Sequence, residues 1–310
     1  MVSKTDKSYL IAKARELGFV LFGTSKAEYL EKDANFLKEW LAQGKQGTMS
    51  WMNHHFDKRT NPSLLQDNCK TVISLAFRYF PRFPQPVDGT YKIAKYAYGK
   101  DYHKLLRKKL KVLVDILIDE FGSESSRGFV DSAPIMEKAW AARSGLGWIG
   151  KNTNLINRKE GSFLFLCEIL TDLEFDQDLP GKDLCKTCTQ CIDACPTNAL
   201  DQPYQLDSTR CISYMTIERK EEINPEFHGQ LQDWIFGCDI CQDVCPWNRN
   251  SVSHDEPKLD PRIELLKMTK PSWEYLLKEE FDELFAGSAV KRAGFEGVLK
   301  NKKALTKPVL

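Results

Sequence analysis

Three features are missing from this sequence of 310 residues. It has no run of about 18 apolar residues, so we expect no membrane span. The first 21 residues alternate charged and apolar side chains and contain neither a hydrophobic signal core nor a pair of arginines, which favours a cytoplasmic protein. The net charge of +1 gives no global basic signature, so a nucleic-acid partner would have to bind a local patch.

The composition is that of an ordinary water-soluble protein. Hydrophobic residues make up 42% and charged residues 28% of the chain. The length suits about two domains. No internal repeat or low-complexity segment is present, so the motifs have to identify the chemistry.

Eight of the ten cysteines lie in one block from Cys185 to Cys245. The first four follow C-x2-C-x2-C-x3-C-P, the ferredoxin pattern in which three thiolates hold one iron-sulfur cluster and the fourth crosses to another. The second four follow C-x26-C-x2-C-x3-C-P. Crossing predicts two ligand sets for two 4Fe-4S clusters: the first set is Cys185, Cys188, Cys191 and Cys245, and the second set is Cys195, Cys211, Cys238 and Cys241.

Other interpretations of the cysteines remain open. Paired C-x2-C motifs also bind zinc, although a zinc site normally takes two pairs and not a triple run that ends in Cys-Pro. Disulfides are disfavoured because nothing at the N-terminus indicates export. Cys69 and Cys167 stand in apolar, strand-like surroundings and are interpreted as buried thiols.

Before the cysteine block, the hydrophobic pattern predicts alternating helices and strands. The acidic segment 172–183 marks a domain boundary, and short helices are expected after about residue 257. Trp273, Tyr275, Leu276, Phe281, Leu284 and Phe285 are predicted packing anchors. The predicted helices are 8–17, 28–42, 101–121 and 135–144, the strands are 19–23, 71–80 and 128–130, and a hairpin joins 153–157 to 162–169.

Several polar residues outside the block are candidates for a site. His54 and His55 could bind a cofactor or simply be solvated. Asp131 follows a short strand and could cap the next helix. Gly145, Gly147 and Gly150 surround Trp148 in a compact loop that is not a dinucleotide fingerprint but whose backbone could approach a flat ligand. The basic run on helix 101–121 is interpreted as a solvated face, and the basic end, with Lys291, Arg292, Lys300, Lys302 and Lys303, is the better candidate for phosphate contact.

Long segments resemble the epoxyqueuosine reductase family. They are VDSAPIMEKAWAARSGLGWIGKNTNLI, the CEIL strand, RCISYMTIERK inside the cysteine block and GSAVKRAGFEG near the end. The resemblance implies an α/β (α+β) fold with a nitroreductase-like cobalamin-binding domain (1–178), a two-cluster ferredoxin-like domain (179–255) and a helical tail (256–310). It also implies an oxidoreductase for the last step of queuosine synthesis, the cobalamin-dependent reduction of epoxyqueuosine at the tRNA wobble position to queuosine.

The same resemblance assigns roles to residues. Asp131 matches the catalytic acid, and Arg219 and Lys220 lie in a segment associated with tRNA. The positions implied for cobalamin are His54, Asp131, Gly145, Gly150, Lys151, Asn152, Leu155 and Ser213. Tyr102 and His103 are second candidates for proton donation or substrate contact. The implied partners are tRNA that carries epoxyqueuosine and an external low-potential electron donor, and a monomer is expected.

The predicted chemistry depends on a proton donor. Opening an epoxide and releasing its oxygen as water takes two electrons and two protons. A carboxyl group in an enclosed pocket would have its pKa raised by desolvation, so Asp131 is expected to be protonated near neutral pH.

The sequence departs from the family in two places, and other functions remain open. Many relatives have a small residue where Cys167 stands, so this thiol either faces the cofactor or fills space. Many also continue into a C-terminal helical-repeat domain, and this sequence resembles a short form. The alternatives are a reductive dehalogenase-like enzyme, which normally carries a twin-arginine signal, a non-catalytic ferredoxin-type electron carrier and a zinc-stabilised tRNA-binding protein.

Overall fold

A four-stranded antiparallel sheet organises the first half of the molecule. The computed structural model describes residues 4–306. The strands lie in the order β1 (Leu21–Lys26), β2 (Thr71–Arg78), β7 (Leu164–Thr171) and β4 (Ser126–Phe129). Its first half contains α1 (Lys4–Glu16), β1 (Leu21–Lys26), α2 (Glu31–Ala42), α3 (Phe56–Thr60), β2 (Thr71–Arg78), β3 (Lys92–Ile93), α4 (Tyr102–Asp119), β4 (Ser126–Phe129), α5 (Glu137–Arg143), β5 (Trp148–Ile149), β6 (Leu155–Ile156) and β7 (Leu164–Thr171).

Helices cover both faces of this sheet. On one face, α1 and α4 pack against Ile73, Leu75 and Ile169. On the other face, Trp140 of α5 is fully buried beside strand residues such as Leu170. Because successive side chains of a strand point to opposite faces, the central strand β7 contributes to both cores. Seven of its eight residues are buried.

Helix α4 confirms the predicted amphipathic helix 101–121. Leu106, Leu110, Leu113 and Leu117 recur every three to four residues and are buried, together with Leu105. Asp101 is the N-cap and accepts a hydrogen bond from the His103 amide at 3.0 Å. On the opposite face, exposed Lys111 pairs with Asp115 at 2.7 Å, as a solvated face would.

Two strand predictions were wrong. Strand β1 covers 21–26 and not 19–23 because the polar residues Thr24 and Ser25 are buried, and Thr24 is satisfied by Asp178. Only a single bridge of the predicted hairpin forms, between Asn157 and Gly161. Strand β6 instead pairs with β5 across the turn that starts at Gly150, and β7 pairs along its whole length with β2.

The cysteine block and the tail share a core with an early segment of the chain. Strand β3 pairs in parallel with β8, and Tyr91 and Ile93 pack with Trp273 and Phe281 of the tail. Tyr275 is 82% exposed, so its predicted role as an anchor was wrong. The elements here are α6 (Gln190–Asp193), α7 (Ile212–Ile217), β8 (Trp234–Phe236), α8 (Ile240–Asp243), α9 (Ile263–Lys267), α10 (Lys270–Glu274), α11 (Lys278–Leu284) and α12 (Gly294–Thr306).

None of the helices in the described part of the chain has the length and apolar character needed to cross a membrane.

The two cysteines outside the block are buried, as predicted. Cys167 is fully buried in the core beneath α4, and burial raises the pKa of the Cys69 thiol to about 11.

Candidate active site and cluster sites

The structure gathers the eight cysteines of the block into two groups, and all are free thiols. Burial raises the pKa of the Cys191 thiol to about 11, and Cys245, Cys185 and Cys188 add to this rise as charged neighbours. Burial also raises the pKa of the Cys241 thiol, and Cys211, Cys191 and Cys195 add to this rise. Cys238 in turn is influenced by Cys211 and Cys241. Apart from the influence of Cys191 on Cys241, these neighbours follow the two sets of the crossing pattern, whose assignment to two clusters stays a prediction.

No compact site for a single metal ion forms among the described thiols. Within residues 4–306, no group of three or more His, Cys, Asp or Glu side chains is placed to hold a single metal ion. A zinc site draws its four ligands to within about 2.0–2.3 Å of one ion. The thiolates of a 4Fe-4S cluster bind separate irons at the corners of a cube and therefore lie farther apart.

Aromatic rings and a buried lysine surround the first set. Trp148 donates a hydrogen bond from Nε1 to Cys185 Sγ at 3.4 Å and meets Trp247 edge to face. Lys151 is buried, and its ammonium donates to the carbonyl oxygens of Lys186 and Cys188 at 2.6 and 3.0 Å. Lys151 therefore holds the loop of the first set.

The second set lines a cavity of about 260 Å³. The cavity is also lined by Tyr96, Lys138, the segment 152–154 and Ser213. Asn152 donates from Nδ2 to the Cys241 carbonyl at 3.2 Å. Two predicted cofactor residues, Asn152 and Ser213, thus meet at the second set.

A hydrogen-bonded acid centre lies next to this cavity. Asp131 Oδ2 is 2.8 Å from His103 Nε2 and accepts from the Tyr102 hydroxyl at 3.1 Å. On its other side, His103 Nδ1 is 2.6 Å from Asp101 Oδ1. The Tyr102 ring stacks on Phe165 with centroids 4.0 Å apart. The N-terminus of α4 and the turn after β4 therefore assemble this centre.

The predicted raised pKa of Asp131 was wrong for this arrangement. Burial works to raise the pKa of the carboxyl, but the hydrogen bonds and charge of His103 and the Tyr102 hydroxyl outweigh it and leave the pKa below its ordinary value. The Asp131 side chain is 51% exposed, so the space beside it, called the cleft below, is open to solvent. Nor does Asp131 cap helix α5, whose N-cap is Met136.

The proton of this centre belongs to His103. Burial works to lower the pKa of the imidazole, but the hydrogen bonds to Asp131 and Asp101 outweigh it and raise the pKa. Ionised carboxylates can only accept hydrogen bonds, and both ring nitrogens face one. The arrangement therefore stabilises the imidazolium form.

Two glutamates behind Asp131, the half-buried Glu137 and the fully buried Glu168, were missed by the sequence analysis. Glu137 Oε1 accepts from the Asp131 amide at 2.5 Å, and Asp131 has a left-handed backbone with φ of 54°. Glu168 of β7 is fully buried, and neither of its oxygens has a hydrogen-bond partner among the described residues. Burial raises the pKa of both carboxyls. The signal for Glu168 was an acidic residue inside the apolar strand FLFLCEIL.

The tail contributes one cation to the rim of the cleft. Arg292 forms a bidentate pair with Glu218 at 2.7 and 2.9 Å, and its charge helps to lower the pKa of Asp131. Lys220 donates to the Arg292 carbonyl, which brings the predicted tRNA segment to the same rim. Lys300 is buried against the Met215 and Arg219 carbonyls, so its predicted phosphate contact was wrong.

The other predicted cofactor residues are less close to the cavity. Leu155 is buried in a core with Ala141 and Leu164. A Cβ at Gly145 would lie 2.7 Å from the Leu179 carbonyl, and one at Gly150 would lie 2.3 Å from Ile156, so packing within the chain accounts for both glycines. His54 is exposed, and its imidazole has no hydrogen-bond or ion-pair partner in the described part of the chain.

Two family models match separate parts of the chain. Residues 59–132 match the model described as "Epoxyqueuosine reductase QueG, DUF1730". Residues 184–248 match a 4Fe-4S double cluster binding domain. The first match ends just after Asp131, and the second contains all eight cysteines of the block.

Whole-chain comparisons point to the same group of proteins. An epoxyqueuosine reductase of Cellulophaga algicola is 52% identical over 302 residues, which cover 97% of this chain and 98% of that protein. A crystal structure of epoxyqueuosine reductase with an epoxyqueuosine-modified tRNA stem loop has a TM-score of 0.88 at 30% identity, covering 96% of this chain and 80% of that one. The Bacillus subtilis enzyme, in a structure whose catalytic loop is swung out of the active site, has a TM-score of 0.86 at 30% identity and the same coverage.

Proposed function

The chain belongs to the epoxyqueuosine reductase family, and we propose that it reduces epoxyqueuosine in tRNA to queuosine by the use of two 4Fe-4S clusters and cobalamin. The observation that carries the proposal is the position of the acid centre beside the cavity of the second cysteine set. Tyr96 lines that cavity, and its ring meets the Tyr102 ring edge to face at 6.2 Å. Proton donors and an electron source are therefore next to each other.

We infer that cobalamin binds in the open space between Asp131 and the cavity of the second cysteine set. Asn152, Ser213 and Lys138 line that cavity, and half of the Asp131 side chain is exposed. Amide, hydroxyl and ammonium groups suit the amide-rich periphery of cobalamin. When bound there, cobalamin would supply a low-valent cobalt that is nucleophilic enough to open an epoxide.

The residues of the acid centre control the protons. Epoxide opening leaves an alkoxide that must be protonated, and loss of that oxygen as water takes a second proton. His103 holds one proton between two carboxylates, and Asp131 lies between His103 and the cleft. We assign Asp131 the transfer of protons to the substrate oxygen and His103 the recharging of Asp131.

The two clusters pass electrons in a defined order. The second set lines the cavity beside the acid centre, whereas the first set lies behind Trp148 and Lys151. Clusters held by these two sets would let electrons from an external low-potential donor enter at the first and leave from the second. Oxygen-sensitive clusters and reduced thiols suit the cytoplasm, and a monomer holds the complete set of ligands.

The rim of the cleft receives the nucleic acid. Arg219, Lys220 and Arg292 lie together there. Phosphate contacts position a nucleic acid, and the cleft then admits only the flipped-out modified base. Because Arg292 is also paired with Glu218, tRNA binding competes with that ion pair.

Anaerobic turnover tests the proposal. Reconstituted protein is incubated with a low-potential reductant and tRNA bearing epoxyqueuosine, with and without cobalamin. The tRNA is then digested, and the nucleosides are analysed by mass spectrometry. We expect the loss of one oxygen only when cobalamin is present. No conversion by protein with both clusters and cobalamin loaded would contradict the proposal and favour an electron carrier.

A further inference from the structure

Lys138 is a cation without an acidic partner beside the second cysteine set. It is the second residue of α5, and its ammonium donates to the Thr153 carbonyl and to Asn154 Oδ1, each at 3.0 Å. Among residues 4–306, no carboxylate forms an ion pair with it within the 4.0 Å limit. The two neutral acceptors hold the ammonium in place, and the carboxylates that act on its charge, Glu137 and Asp131, lie beyond ion-pair distance.

Lys138 lies close to the cysteines of the second set. Lys138 lines the same cavity as all four thiols of the second set. No cysteine of the first set except Cys191 acts on the second set, and the first set has its own surroundings of Trp148, Trp247 and Lys151. The Lys138 charge therefore acts unequally on the two sets.

A fixed positive charge stabilises the reduced form of a cluster. A 4Fe-4S cluster held by four thiolates is anionic, and it gains one further negative charge on reduction. Net charge and local hydrogen bonds set cluster potentials. Although Lys138 is exposed, it also lines the cavity of the second set, where a charge interacts more strongly than in bulk solvent.

We propose that Lys138 raises the reduction potential of the cluster held by Cys195, Cys211, Cys238 and Cys241 relative to the other cluster. This contribution favours electrons on the second cluster, whereas the Lys151 ammonium contributes in the same way to the first cluster. This inference depends on the double cluster domain and not on the identity of the substrate. The effect of Lys138 on the potential can therefore be disproved while the reductase activity is confirmed. The activity can likewise be disproved while the effect of Lys138 is confirmed.

Redox titration of the full chain without cobalamin and without tRNA tests this inference. The reduced clusters are followed by electron paramagnetic resonance, and the Cys211→Ala variant identifies the signal of the second cluster. With Lys138→Gln, we expect the reduced-to-oxidised ratio of that cluster at a fixed potential to fall about tenfold, which is about 59 mV for one electron. The ratio for the first cluster should change less than about twofold.

Matched variants separate the charge from other effects. Lys138→Arg keeps the charge and should restore the ratio to within about twofold. Lys138→Met is a second neutral variant and should behave like Lys138→Gln. Lys111→Gln removes one charge from the exposed face of α4, away from the clusters, and should change neither ratio. An unchanged second cluster in both neutral variants, or equal shifts of both clusters, would overturn the proposal.

Discussion

The cysteine block and the acid centre are built in opposite ways. The block takes all its predicted ligands from one segment of 61 residues, Cys185 to Cys245, whose spacing already separates the two sets. The acid centre combines the start of α4, the turn after β4, the start of α5 and Arg292 of the tail. The ligand sets of the block follow from which residues are cysteines. The chemistry of the acid centre follows from which of its side chains carry a proton.

Removal of one crossing ligand should give the largest effect. Cys245 lies in the second run of the sequence but is grouped with the first set in space. We expect Cys245→Ser to lose the first cluster, about half of the bound iron and turnover down to background, because electrons can no longer enter. Iron analysis and the turnover assay check this expectation.

The matched control for this variant is Cys69→Ala, at a buried thiol outside the block. It should keep all of the iron and the activity. A Cys245→Ser protein that keeps both clusters would mean that the crossing assignment is wrong.

Asp131→Asn tests the acid centre at nearly constant shape. The amide fits the same space and accepts from Tyr102, but it neither carries the negative charge that holds the His103 proton nor passes a proton on. We expect turnover to fall about 10²- to 10⁴-fold, the usual contribution of a positioned acid or base. Iron content and the absorption spectrum of bound cobalamin should stay unchanged, and retained turnover would exclude Asp131 as the essential group.

The sequence predicted most of the block and less of the acid centre. Cysteine spacing and leucine periodicity are local, so the two thiol sets and α4 could be inferred directly. The pKa of Asp131 could not, because its direction depends on His103, 28 residues earlier, and on Arg292 in the tail. The false hairpin at 153–169 has the same cause, since long-range pairing with β2 and β4 decides the place of β7.

His103→Gln should give a smaller, pH-dependent loss. Because the carboxylates raise the pKa of His103, its charged form is present below that pKa and is lost as the pH rises through it. The kcat/KM of the wild type should therefore fall on the alkaline side. We expect His103→Gln to be about 10- to 100-fold slower at neutral pH and to lack that fall.

The pH profile distinguishes this role from a structural one. A variant that merely disturbed the fold would lower the rate at every pH and keep the alkaline fall. Such a parallel profile for His103→Gln would mean that another group donates the proton, and Tyr102 is the nearest candidate.

Glu168→Gln should change stability, and only at higher pH. Burial raises the pKa of Glu168, and with no partner for either oxygen the protein favours the protonated carboxyl. The unfolded chain releases this proton at the ordinary pKa of about 4.3, so the native state loses stability as the pH rises above that value, by up to about 1.4 kcal/mol per pH unit until the folded pKa is reached. Glutamine does not titrate, so between pH 5 and pH 9 the free energy of unfolding of the variant, measured with denaturant, should rise relative to that of the wild type. The control Glu124→Gln, at an exposed glutamate, should show no such trend. Parallel stability curves for Glu168→Gln and the wild type would mean that Glu168 is ionised in the folded protein, and the acid centre would then carry one more negative charge than its hydrogen bonds indicate.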